Sequence, residues 1–375
     1  MLALMLLGLV AGSLVYCVLV VIAAENYRAE RPPETTEEFP PISILKPLSG
    51  VDRDLEQNLR TFFEQKYPVF ELLFAVRSED DPAIQVVERL RAAFPAIPSR
   101  LIVTGEPPYP NAKVFSLERM SAAARYDLLV MADSDVRVMP NLLATLAAEF
   151  QDPKAGLVTC PYRAVPGPSF WSVLEAIGLN TEFLAGVMVA RLLDGMRFAL
   201  GPTITARRQV LADIGGFQAL KDYLAEDFVL GNLVAELGWR VILSSYVIEH
   251  HIGSQPVLEN LKHRLRWNRS TRRSRPLGYL GQVFTNPLPL AVLFCIVVPA
   301  WWPVLVVTAA FRAVAAQATA IRILRDPVVA ARWWLLPAQD LLGFPLWIFA
   351  FFGNTILWRG RKYHLLRDGK FRPIS

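Results

Sequence analysis

The first 24 residues of the chain contain no charged side chain. At 1.5 Å per residue, a helix of this length crosses roughly 30 Å of hydrocarbon, the thickness of a bilayer core. A cleaved signal peptide is the alternative, but its apolar region would be shorter and would follow basic residues. We therefore expect residues 1–24 to form a transmembrane anchor, followed by a polar linker over residues 25–40.

Two more apolar runs lie near the other end of the chain. Residues 276–311 are uncharged, and residues 333–358 are interrupted only by Asp340. With 53% hydrophobic residues, the chain has room for one soluble domain, residues 41–275, and for membrane segments over residues 276–358. The number of C-terminal spans stays open, because a hairpin broken around residues 299–303 would leave the last run re-entrant or interfacial.

Basic residues flank these membrane segments. The segment Lys262–Arg275 and the tail, residues 359–375, are rich in lysine and arginine, and positive residues beside spans favour the cytoplasmic side. We expect a multi-pass protein of a bacterial inner membrane with its domain facing the cytosol. Nucleic acid is not an expected partner, because each basic stretch adjoins an apolar run, and lipid headgroups or a phosphorylated ligand explain the charge more simply.

Short apolar runs alternate with amphipathic ones in the central region. Residues 41–48, 71–81, 99–105 and 126–135 are predicted to be strands, and the segments between them have helical spacing. Later strands are expected at 156–162, 198–208 and 240–251, with a helix at 225–238. Such alternation is typical of an α/β fold with a parallel sheet covered by helices on both faces.

Two of these strands end in pairs of acids. Asp80 and Asp81 follow one strand, and Asp133 and Asp135 follow another. Ligands bind at the carboxyl ends of parallel strands, so all four carboxylates are expected to face one crevice. Clustered carboxylates need a cation, and oxygen ligands suit Mg²⁺ or Mn²⁺ carrying a substrate's phosphates. A solvated turn is the alternative for so short a pattern, but the apolar strand before Asp133 and Asp135 favours a metal site there.

Several segments, in the same order, resemble the ceramide glucosyltransferases and their bacterial relatives, which include the glycosyltransferase associated with hopanoid biosynthesis. The resemblance runs from about Ile42 to Tyr363. It is carried by the sequences ISILKPLSGVDRDLEQNLRTFF, YDLLVMADSDVRVMP, YLAEDFVLGNLVAELGWR, RW and TILWRGRKYHL. It implies a GT-A-type nucleotide-sugar fold, which is Rossmann-like, in a membrane-bound inverting enzyme with a lipid acceptor.

The resemblance also implies a set of site residues. The positions that match the family's donor-binding motifs are Asp80, Asp81 and Asp133. Those that match its catalytic motifs are Asp227, Arg266 and Trp267. Two positions depart from the family pattern. Asp135 stands where animal members have glycine, which makes the metal site more explicit, and His263 replaces the glutamine or arginine that begins the (Q/R)-x-x-R-W motif.

Glycosyl transfer breaks the bond between C1 and phosphate while an acceptor hydroxyl attacks from the opposite face. A metal at Asp135, helped by Arg266, would stabilise the departing diphosphate. Asp227 is the expected base, since a helix dipole at its position favours an ionised carboxylate. A helix cap is the alternative role for Glu226 or Asp227. Lys113 is a further candidate contact to the diphosphate, or else a solvated lysine.

His250 and His251 end a predicted strand, and either one could complete the metal shell or be only a polar terminus. Residues 169–198 are amphipathic and include Arg191 and Arg197, which favours a helix at the lipid headgroups, with a core helix as the alternative. Trp267 is expected to close over the donor or the acceptor, unless it is an interfacial aromatic.

These features predict a UDP-sugar-dependent lipid glycosyltransferase. The donor is expected to be UDP-glucose or UDP-N-acetylglucosamine, and the acceptor a membrane lipid with a hydroxyl, foremost ceramide or a hopanoid. A processive polysaccharide synthase or a polyprenyl-phosphate glycosyltransferase is the alternative, although the apolar C-terminal region is short for a polymer channel. A protein that only binds nucleotide-sugar would not need Asp227 or the pair Arg266 and Trp267.

Overall fold

The computed structural model describes residues 1–30, 39–358 and 361–374. The chain separates into two compact units built from segments that are distant in sequence. The sheet unit comprises Pro32–Tyr162, Met196–His251 and Gly369–Ser375, and the helical unit comprises Met1–Arg31, Arg163–Gly195 and Ile252–Asp368. The expected domain of residues 41–275 therefore contributes to both units. The functional division of the chain stays a prediction, with the ranges 1–24, 25–40, 41–275, 276–358 and 359–375. Residues 31–38 of the linker and 359–360 of the tail lie outside the described residues.

Thirteen strands occur among the described residues, and those of the sheet unit are mostly buried. In chain order they are β1 Ile42–Pro47, β2 Phe70–Val76, β3 Ser99–Val103, β4 Leu128–Ala132, β5 Val136–Arg137, β6 Ala155–Thr159, β7 Tyr162–Pro166, β8 Thr203–Arg207, β9 Arg240–Leu243, β10 Ile248–Gly253, β11 Thr355–Trp358, β12 Arg361–Leu365 and β13 Phe371–Pro373.

The α-helices in the described part of the chain are α1 Leu2–Ala29, α2 Leu55–Phe63, α3 Ala83–Ala93, α4 Ala112–Ala123, α5 Leu142–Glu149, α6 Phe170–Gly178, α7 Leu184–Asp194, α8 Arg208–Asp213, α9 Glu226–Glu236, α10 Val257–Ser274, α11 Pro276–Gly281, α12 Pro287–Val297, α13 Pro303–Ala316, α14 Pro327–Arg332 and α15 Leu336–Phe349. Short 3-10 segments span Phe217–Leu220, Gln282–Thr285, Pro299–Trp301 and Trp333–Leu335, and π-helical turns span Leu179–Phe183 and Gln317–Ile321.

A seven-stranded sheet with the order β3-β2-β1-β4-β8-β6-β9 forms the centre of the sheet unit. The strands β1 to β4 are parallel, and Leu45 of β1 pairs with Leu73 of β2 and Met131 of β4. β8 runs antiparallel to both of its neighbours. The α/β fold is therefore confirmed, but the sheet is mixed. Consecutive strands become parallel when a crossover helix between them packs on the sheet. The segment before β8, Arg163–Gly195, belongs to the helical unit instead, so no such helix precedes β8.

The strands predicted at 156–162 and 240–251 each break in two, giving β6 with β7 and β9 with β10. β10 leaves the large sheet and pairs antiparallel with β5, so that His250 lies opposite Val136. Because β5 begins directly after Asp135, this pairing brings β10 beside the acids that follow β4.

Helices cover both faces of the large sheet, and every residue of β2 and β4 is buried. Such double coverage is why β4 and residues 72–76 of β2 are continuous apolar runs instead of alternating ones. Leu117 and Met120 of α4 share one core with Leu230 and Val234 of α9. The shared core fixes the first turns of α4 and α9 relative to the sheet.

Apolar helices make up most of the helical unit. Among the described residues, three helical stretches are long and apolar enough to cross a membrane: Leu2–Ala29, Phe170–Asp194 and Pro299–Ile321. From Leu2 onwards, the uncharged run 1–24 thus lies within one helix that continues to Ala29. The sequence favours a headgroup position for residues 169–198, yet 72% of the most apolar part of the helical stretch is buried inside the unit. The core-helix alternative therefore describes it better.

The apolar run 276–311 contains two breaks. The segments Pro276–Thr285 and Pro287–Val297 meet at an angle of 62° around Asn286, and the 3-10 turn Pro299–Trp301 separates α12 from α13. A proline opens each new helix, where its missing N–H costs nothing. The second break is the one that the sequence predicts.

Asp340, the charged residue of the last apolar run, is buried with Arg312. The guanidinium of Arg312 donates to the carboxylate of Asp340 at 2.9–3.1 Å and to the hydroxyl of Thr181 at 2.9 Å. The side chains of Arg312 and Asp340 are 4% and 0% exposed. The ion pair explains how an apolar bundle accommodates both charges, since either one alone would be costly there.

The basic segment Lys262–Arg275 forms most of α10, and three of its arginines bind the chain just after α15. Arg269 and Arg272 donate to backbone carbonyls within residues 351–355, and Arg272 and Arg273 donate to the side chain of Asn354. Hydrogen bonds from a charged guanidinium to a carbonyl oxygen are stronger than bonds between neutral groups. These arginines therefore stabilise the fold of the helical unit. Binding of lipid headgroups or phosphates alone does not account for the basic segment.

Candidate active site

The turn after β4 is held by a buried lysine of the neighbouring strand. The ammonium of Lys46 in β1 donates to the backbone carbonyl of Asp133 at 2.5 Å. Lys46 is fully buried and lies over the ring of Phe62, 3.8 Å from its centroid. Burial lowers the pKa of Lys46 to about 7, although the carboxylates of Asp133 and Asp135 act in the opposite direction.

Lys113 links two acids from different elements. Its Nζ lies 2.7 Å from Oδ1 of Asp133 and 3.1 Å from Oε1 of Glu226. Burial would lower the pKa of Lys113, but the two carboxylates outweigh burial and hold this pKa above its usual value. Lys113 is therefore a fixed cation and not a freely solvated lysine, and its contact to a diphosphate stays a prediction.

Asn111 joins the starts of α4 and α9. As the N-cap of α4, its Oδ1 accepts a hydrogen bond from the backbone N–H of Val114 at 3.1 Å. Its Nδ2 donates to the carbonyl of Tyr223 at 2.8 Å and to the carboxylate of Glu226 at 3.4 Å. These bonds set Lys113, two residues into α4, against the acids that open α9.

Asp227 lies in the first turn of α9, whose N-cap residue is Ala225 and not Glu226 or Asp227. Burial and the neighbouring Glu226 raise the pKa of Asp227 to about 7, more than Lys113 lowers it. The sequence predicts a carboxylate kept ionised by the helix dipole, but burial and Glu226 outweigh the groups that lower its pKa. A carboxylate with this pKa is suited to accepting a proton near neutral pH.

A small cavity brings these groups together. Its lining includes Lys113, Asp133, Gly201, Glu226 and Asp227. A Cβ atom on Gly201 would lie 2.8 Å from Oδ2 of Asp227, so the absence of a side chain there leaves room for the carboxylate. The cavity thus combines one cation and three carboxylates at the carboxyl end of β4.

Asp135 is paired with a histidine of β10. Nε2 of His250 lies 3.1 Å from Oδ2 of Asp135, whereas Oδ1 of Asp135 is buried and has no hydrogen-bond partner among the described residues. Burial would raise the pKa of Asp135, but His250 and Lys46 hold it below its usual value. The other histidine, His251, lies beside Glu249 instead, at 3.1 Å. Of the two candidates, His250 is the one that accompanies Asp135.

The groups around Asp135 fit a hard divalent cation. The site offers the unpartnered oxygen of Asp135, the carboxylate of Asp133 and the imidazole of His250. Carboxylate oxygens bind Mg²⁺ or Mn²⁺, and a neighbouring imidazole can support such a site. The described residues contain no group of three or more His, Cys, Asp or Glu side chains arranged to hold a metal ion. The protein would therefore supply part of a coordination shell, and a substrate's phosphates and water would supply the rest.

Asp80 and Asp81 follow β2 at the same edge of the sheet, but they do not line the cavity. Asp81 accepts hydrogen bonds from the backbone N–H groups of Gly50 and Ala83 at 2.9–3.1 Å, which ties the loop after β1 to the start of α3. Asp80 is exposed, and hydrogen bonds from Ser78 and from the backbone hold its pKa below its usual value. Asp81 thus has a structural role, and donor binding by either acid stays a prediction.

Arg266 and Trp267 belong to α10 of the helical unit, and their catalytic roles stay predictions. Trp267 is partly buried against a small apolar cluster of that unit. One turn earlier in α10, Nδ1 of His263 lies 3.0 Å from Oε1 of Glu175. The ring centroids of His263 and Trp267 are 5.3 Å apart. The histidine that replaces the family's glutamine or arginine therefore makes a hydrogen bond of its own.

Lys46 and Asn111 are site residues that the sequence reasoning missed. For Lys46 a signal was available, since a lysine inside the buried strand ISILKP must have partners. Asn111 precedes a helix, as N-cap residues do, but its bond to Tyr223 spans 112 positions. Such a tertiary contact has no local sequence signal.

The sequence profile described as glycosyl transferase family 21 matches residues 2–371. Ceramide glucosyltransferase 1 of Caenorhabditis elegans is 29% identical over 263 residues, which are 69% of this chain and 56% of that protein. The ceramide glucosyltransferase of Komagataella phaffii is 36% identical over 107 residues, 28% of this chain and 21% of that protein. The chain spans a little over half the length of the C. elegans relative that it matches.

Among solved structures, the mannosyltransferase PcManGT of Pyrobaculum calidifontis, in complex with GDP-mannose and Mn²⁺, aligns with 94% of this chain and 99% of its own. The TM-score is 0.57 at 17% sequence identity. A likeness at this level concerns the fold alone, and it confirms a GT-A fold for this chain.

Proposed function

The chain belongs to glycosyl transferase family 21, and from that premise we propose that it moves a hexose from a UDP-sugar to the hydroxyl of a membrane lipid. Its donor would be UDP-glucose or UDP-N-acetylglucosamine, and its acceptor ceramide or a lipid of similar polarity, such as a hopanoid. Support for the acceptor comes from relatives that are named ceramide glucosyltransferases and from the apolar helices of the helical unit.

The cavity with Lys113, Asp133, Glu226 and Asp227 is the observation that carries the proposal. Transfer of a sugar from a nucleotide requires a base for the acceptor hydroxyl and positive charge for the departing diphosphate. Asp227, with a pKa of about 7, offers the first. Lys113, a cation fixed between Asp133 and Glu226, offers the second.

In the proposed reaction, the oxygen of the lipid hydroxyl attacks C1 of the sugar from the face opposite the diphosphate. The bond from C1 to the phosphate oxygen breaks, and the electron pair leaves with the diphosphate of UDP. The carboxylate of Asp227 accepts the proton of the attacking hydroxyl. One displacement of this kind inverts the configuration at C1, and UDP and a glycolipid are the products.

A divalent cation is the proposed cofactor, and Asp135 and Asp133 are the residues that would hold it. When bound, such an ion supplies Lewis-acid stabilisation of a developing diphosphate charge. His250 would orient the carboxylate of Asp135 through its hydrogen bond. Asp80 and Asp81 remain the proposed contacts to the donor nucleotide, and Arg266 and Trp267 the proposed catalytic pair from the helical unit.

We place the sheet unit on the cytosolic side of a multi-pass membrane protein, because basic segments flank the apolar helices. A protease added to sealed inverted membrane vesicles should then digest residues of the sheet unit. Protection in those vesicles, with digestion in right-side-out spheroplasts, would contradict this orientation.

The proposed function is tested with membranes from cells that do or do not express the chain. Radiolabelled UDP-glucose, UDP-N-acetylglucosamine and GDP-mannose are supplied separately, together with ceramide. We expect label from a UDP-sugar in an organic-soluble product that mass spectrometry identifies as a monohexosyl lipid, with Asp227→Asn membranes as the inactive control. Label in a water-soluble polymer, or in no lipid product with any donor, would contradict the proposal.

A further inference from the structure

Residues 369–374, which we call the returning segment, bring the chain back to the sheet unit. They follow the long segment Ile252–Asp368 of the helical unit. Gly369 has a φ of 82°, which favours glycine, and it precedes β13 by one residue. Within β13 the side chain of Phe371 is buried and 2% exposed, whereas the other two residues are exposed. Phe371 is therefore the apolar anchor of β13.

The returning segment binds the loop that leads into α9. The N–H of Phe371 donates to the carbonyl of Asp222 at 2.9 Å. Lys370 and Tyr223 form an antiparallel bridge, and the ammonium of Lys370 lies over the ring of Tyr223, 5.4 Å from its centroid. This distance is within the range of a cation–π interaction. Backbone and side-chain contacts thus hold the same two loop residues.

Asn111, at the start of α4, holds the same loop. Its backbone N–H donates to the carbonyl of Lys221 at 3.2 Å, and its Nδ2 donates to the carbonyl of Tyr223 at 2.8 Å. The carbonyl between these two is that of Asp222, which accepts from Phe371. Three consecutive carbonyls are therefore bound, and two segments that are distant in sequence share them.

The first turn of α9 depends on this loop for its position. The N-cap residue is Ala225, which has no polar side-chain atom with which to cap the helix. Glu226 and Asp227 follow directly, and Glu226 lies 3.1 Å from Nζ of Lys113. A Cβ atom on Gly201 would lie 2.8 Å from Oδ2 of Asp227, so this carboxylate has little free space on that side. A shift of the loop would therefore displace both acids from the groups that surround them.

We propose that Lys370 and Phe371 are positioning residues for the reaction, which hold the loop at Asp222 and Tyr223 and thereby keep Asp227 in place. Neither Lys370 nor Phe371 lines the cavity, so both act through the loop and not on a substrate. The inference rests on the proposed function, because the position of Asp227 matters for the rate only if Asp227 is the base.

Hydrogen–deuterium exchange of the full chain in detergent measures whether the returning segment holds the loop. Phe371→Ala removes the buried anchor, so the amides of residues 221–229 should exchange at least about tenfold faster than in the parent. The amides of β1 and β4 should exchange as in the parent. Arg372→Ala is the matched control, because Arg372 is an exposed residue of the same strand, and it should leave exchange unchanged.

Steady-state transfer then separates positioning from a purely stabilising role. Phe371→Ala should lower kcat at least about tenfold, because small displacements of reacting groups are costly in rate. The Kd for UDP should stay close to that of the parent. Phe371→Leu refills the buried space with an apolar side chain and should recover most of kcat. Parent-like exchange of residues 221–229 in Phe371→Ala would overturn the inference, and so would faster exchange with a parent-like kcat.

A second pair of variants leaves the buried anchor intact. Lys370→Met removes the cation over Tyr223 and should speed exchange of the same amides about two- to fivefold, with a lower kcat. Lys370→Arg keeps a cation over the ring and should match the parent in both measurements. Equal exchange and equal kcat in these two variants would show that Lys370 does not hold the loop.

Failure of the proposed function has a different signature from failure of this inference. If the chain is not a hexosyltransferase, the parent will transfer no hexose with any donor, while the amides of residues 221–229 still respond to Phe371→Ala. If the inference fails, the parent will transfer hexose, and Phe371→Ala will do so at the same rate.

Discussion

Nε2 of His250 lies 3.1 Å from Oδ2 of Asp135, and Oδ1 of that carboxylate is buried without a partner among the described residues. The histidine thus leaves one oxygen of Asp135 available to a ligand. A histidine that orients a ligating carboxylate without being the main ligand itself typically contributes 10- to 100-fold to metal affinity.

We therefore predict graded losses of Mn²⁺ affinity at this site. His250→Gln should weaken Mn²⁺ binding about 10- to 100-fold, and Asp135→Asn should abolish divalent-dependent transfer. His251→Gln is the matched control, because His251 contacts Glu249 instead. Electron paramagnetic resonance titration of Mn²⁺ in the presence of UDP measures the affinities. Unchanged Mn²⁺ affinity in Asp135→Asn, or undiminished transfer in excess EDTA, would rule out the metal site.

Gly201→Ala should impair catalysis without unfolding the protein. The new Cβ would lie 2.8 Å from Oδ2 of Asp227, so the carboxylate must move, and small displacements of reacting groups can cost about 100-fold in rate. We expect kcat to fall at least about tenfold, with the Kd for UDP and the melting temperature close to those of the parent. A parent-like kcat would show that the position of Asp227 is not critical.

The buried pair of Arg312 and Asp340 should act as one unit in stability. Asp340→Leu leaves Arg312 without its counter-ion in an apolar bundle, which should cost about 3–5 kcal/mol. The double variant Arg312→Met, Asp340→Leu removes both charges and should recover most of that loss. Thermal unfolding in detergent measures both variants. If the double variant were less stable than Asp340→Leu alone, the two residues would not be coupled in this way.

The regular part of the sheet unit could be predicted from the sequence because it depends on local patterns. The apolar runs ending at Val76 and Ala132 are buried on both faces, so they give continuous signals, and the acids that follow them fall at one edge of the sheet. β8 and β10 could not be placed in this way, because antiparallel pairing after a long excursion leaves no periodic signal.

The site was predictable residue by residue but not contact by contact. Asp133, Asp227 and Lys113 were identifiable as candidates, but the bridge that Lys113 makes between Asp133 and Glu226 requires β4, α4 and α9 to meet in space. In the helical unit, hydropathy indicates apolar stretches but not their polar partners. The pairing of Asp340 with Arg312 and the break at Asn286 depend on how the helices pack.

The pH dependence of transfer should report the ionisation of Asp227. Burial, Glu226 and Asp133 together raise its pKa to about 7, against the effect of Lys113. A base works only when ionised, so kcat/KM should rise with pH through about 7 and then level off. Below this pH the carboxylate is protonated and the rate should fall about tenfold per pH unit. A profile that is flat between pH 5 and 8 would contradict the assignment.

The most direct test of the central claim, that Asp227 is the base of a glycosyl transfer, separates donor binding from turnover in one variant. Asp227→Asn keeps the size of the side chain but removes the proton acceptor, and loss of a general base typically lowers the rate about 10²- to 10⁴-fold. Calorimetry with the UDP-sugar and steady-state transfer to ceramide are measured on the same preparation. We predict a parent-like Kd for the donor, with kcat and kcat/KM reduced together by at least about two decades. Loss of donor binding with a near-normal kcat would contradict the claim and make Asp227 a donor ligand.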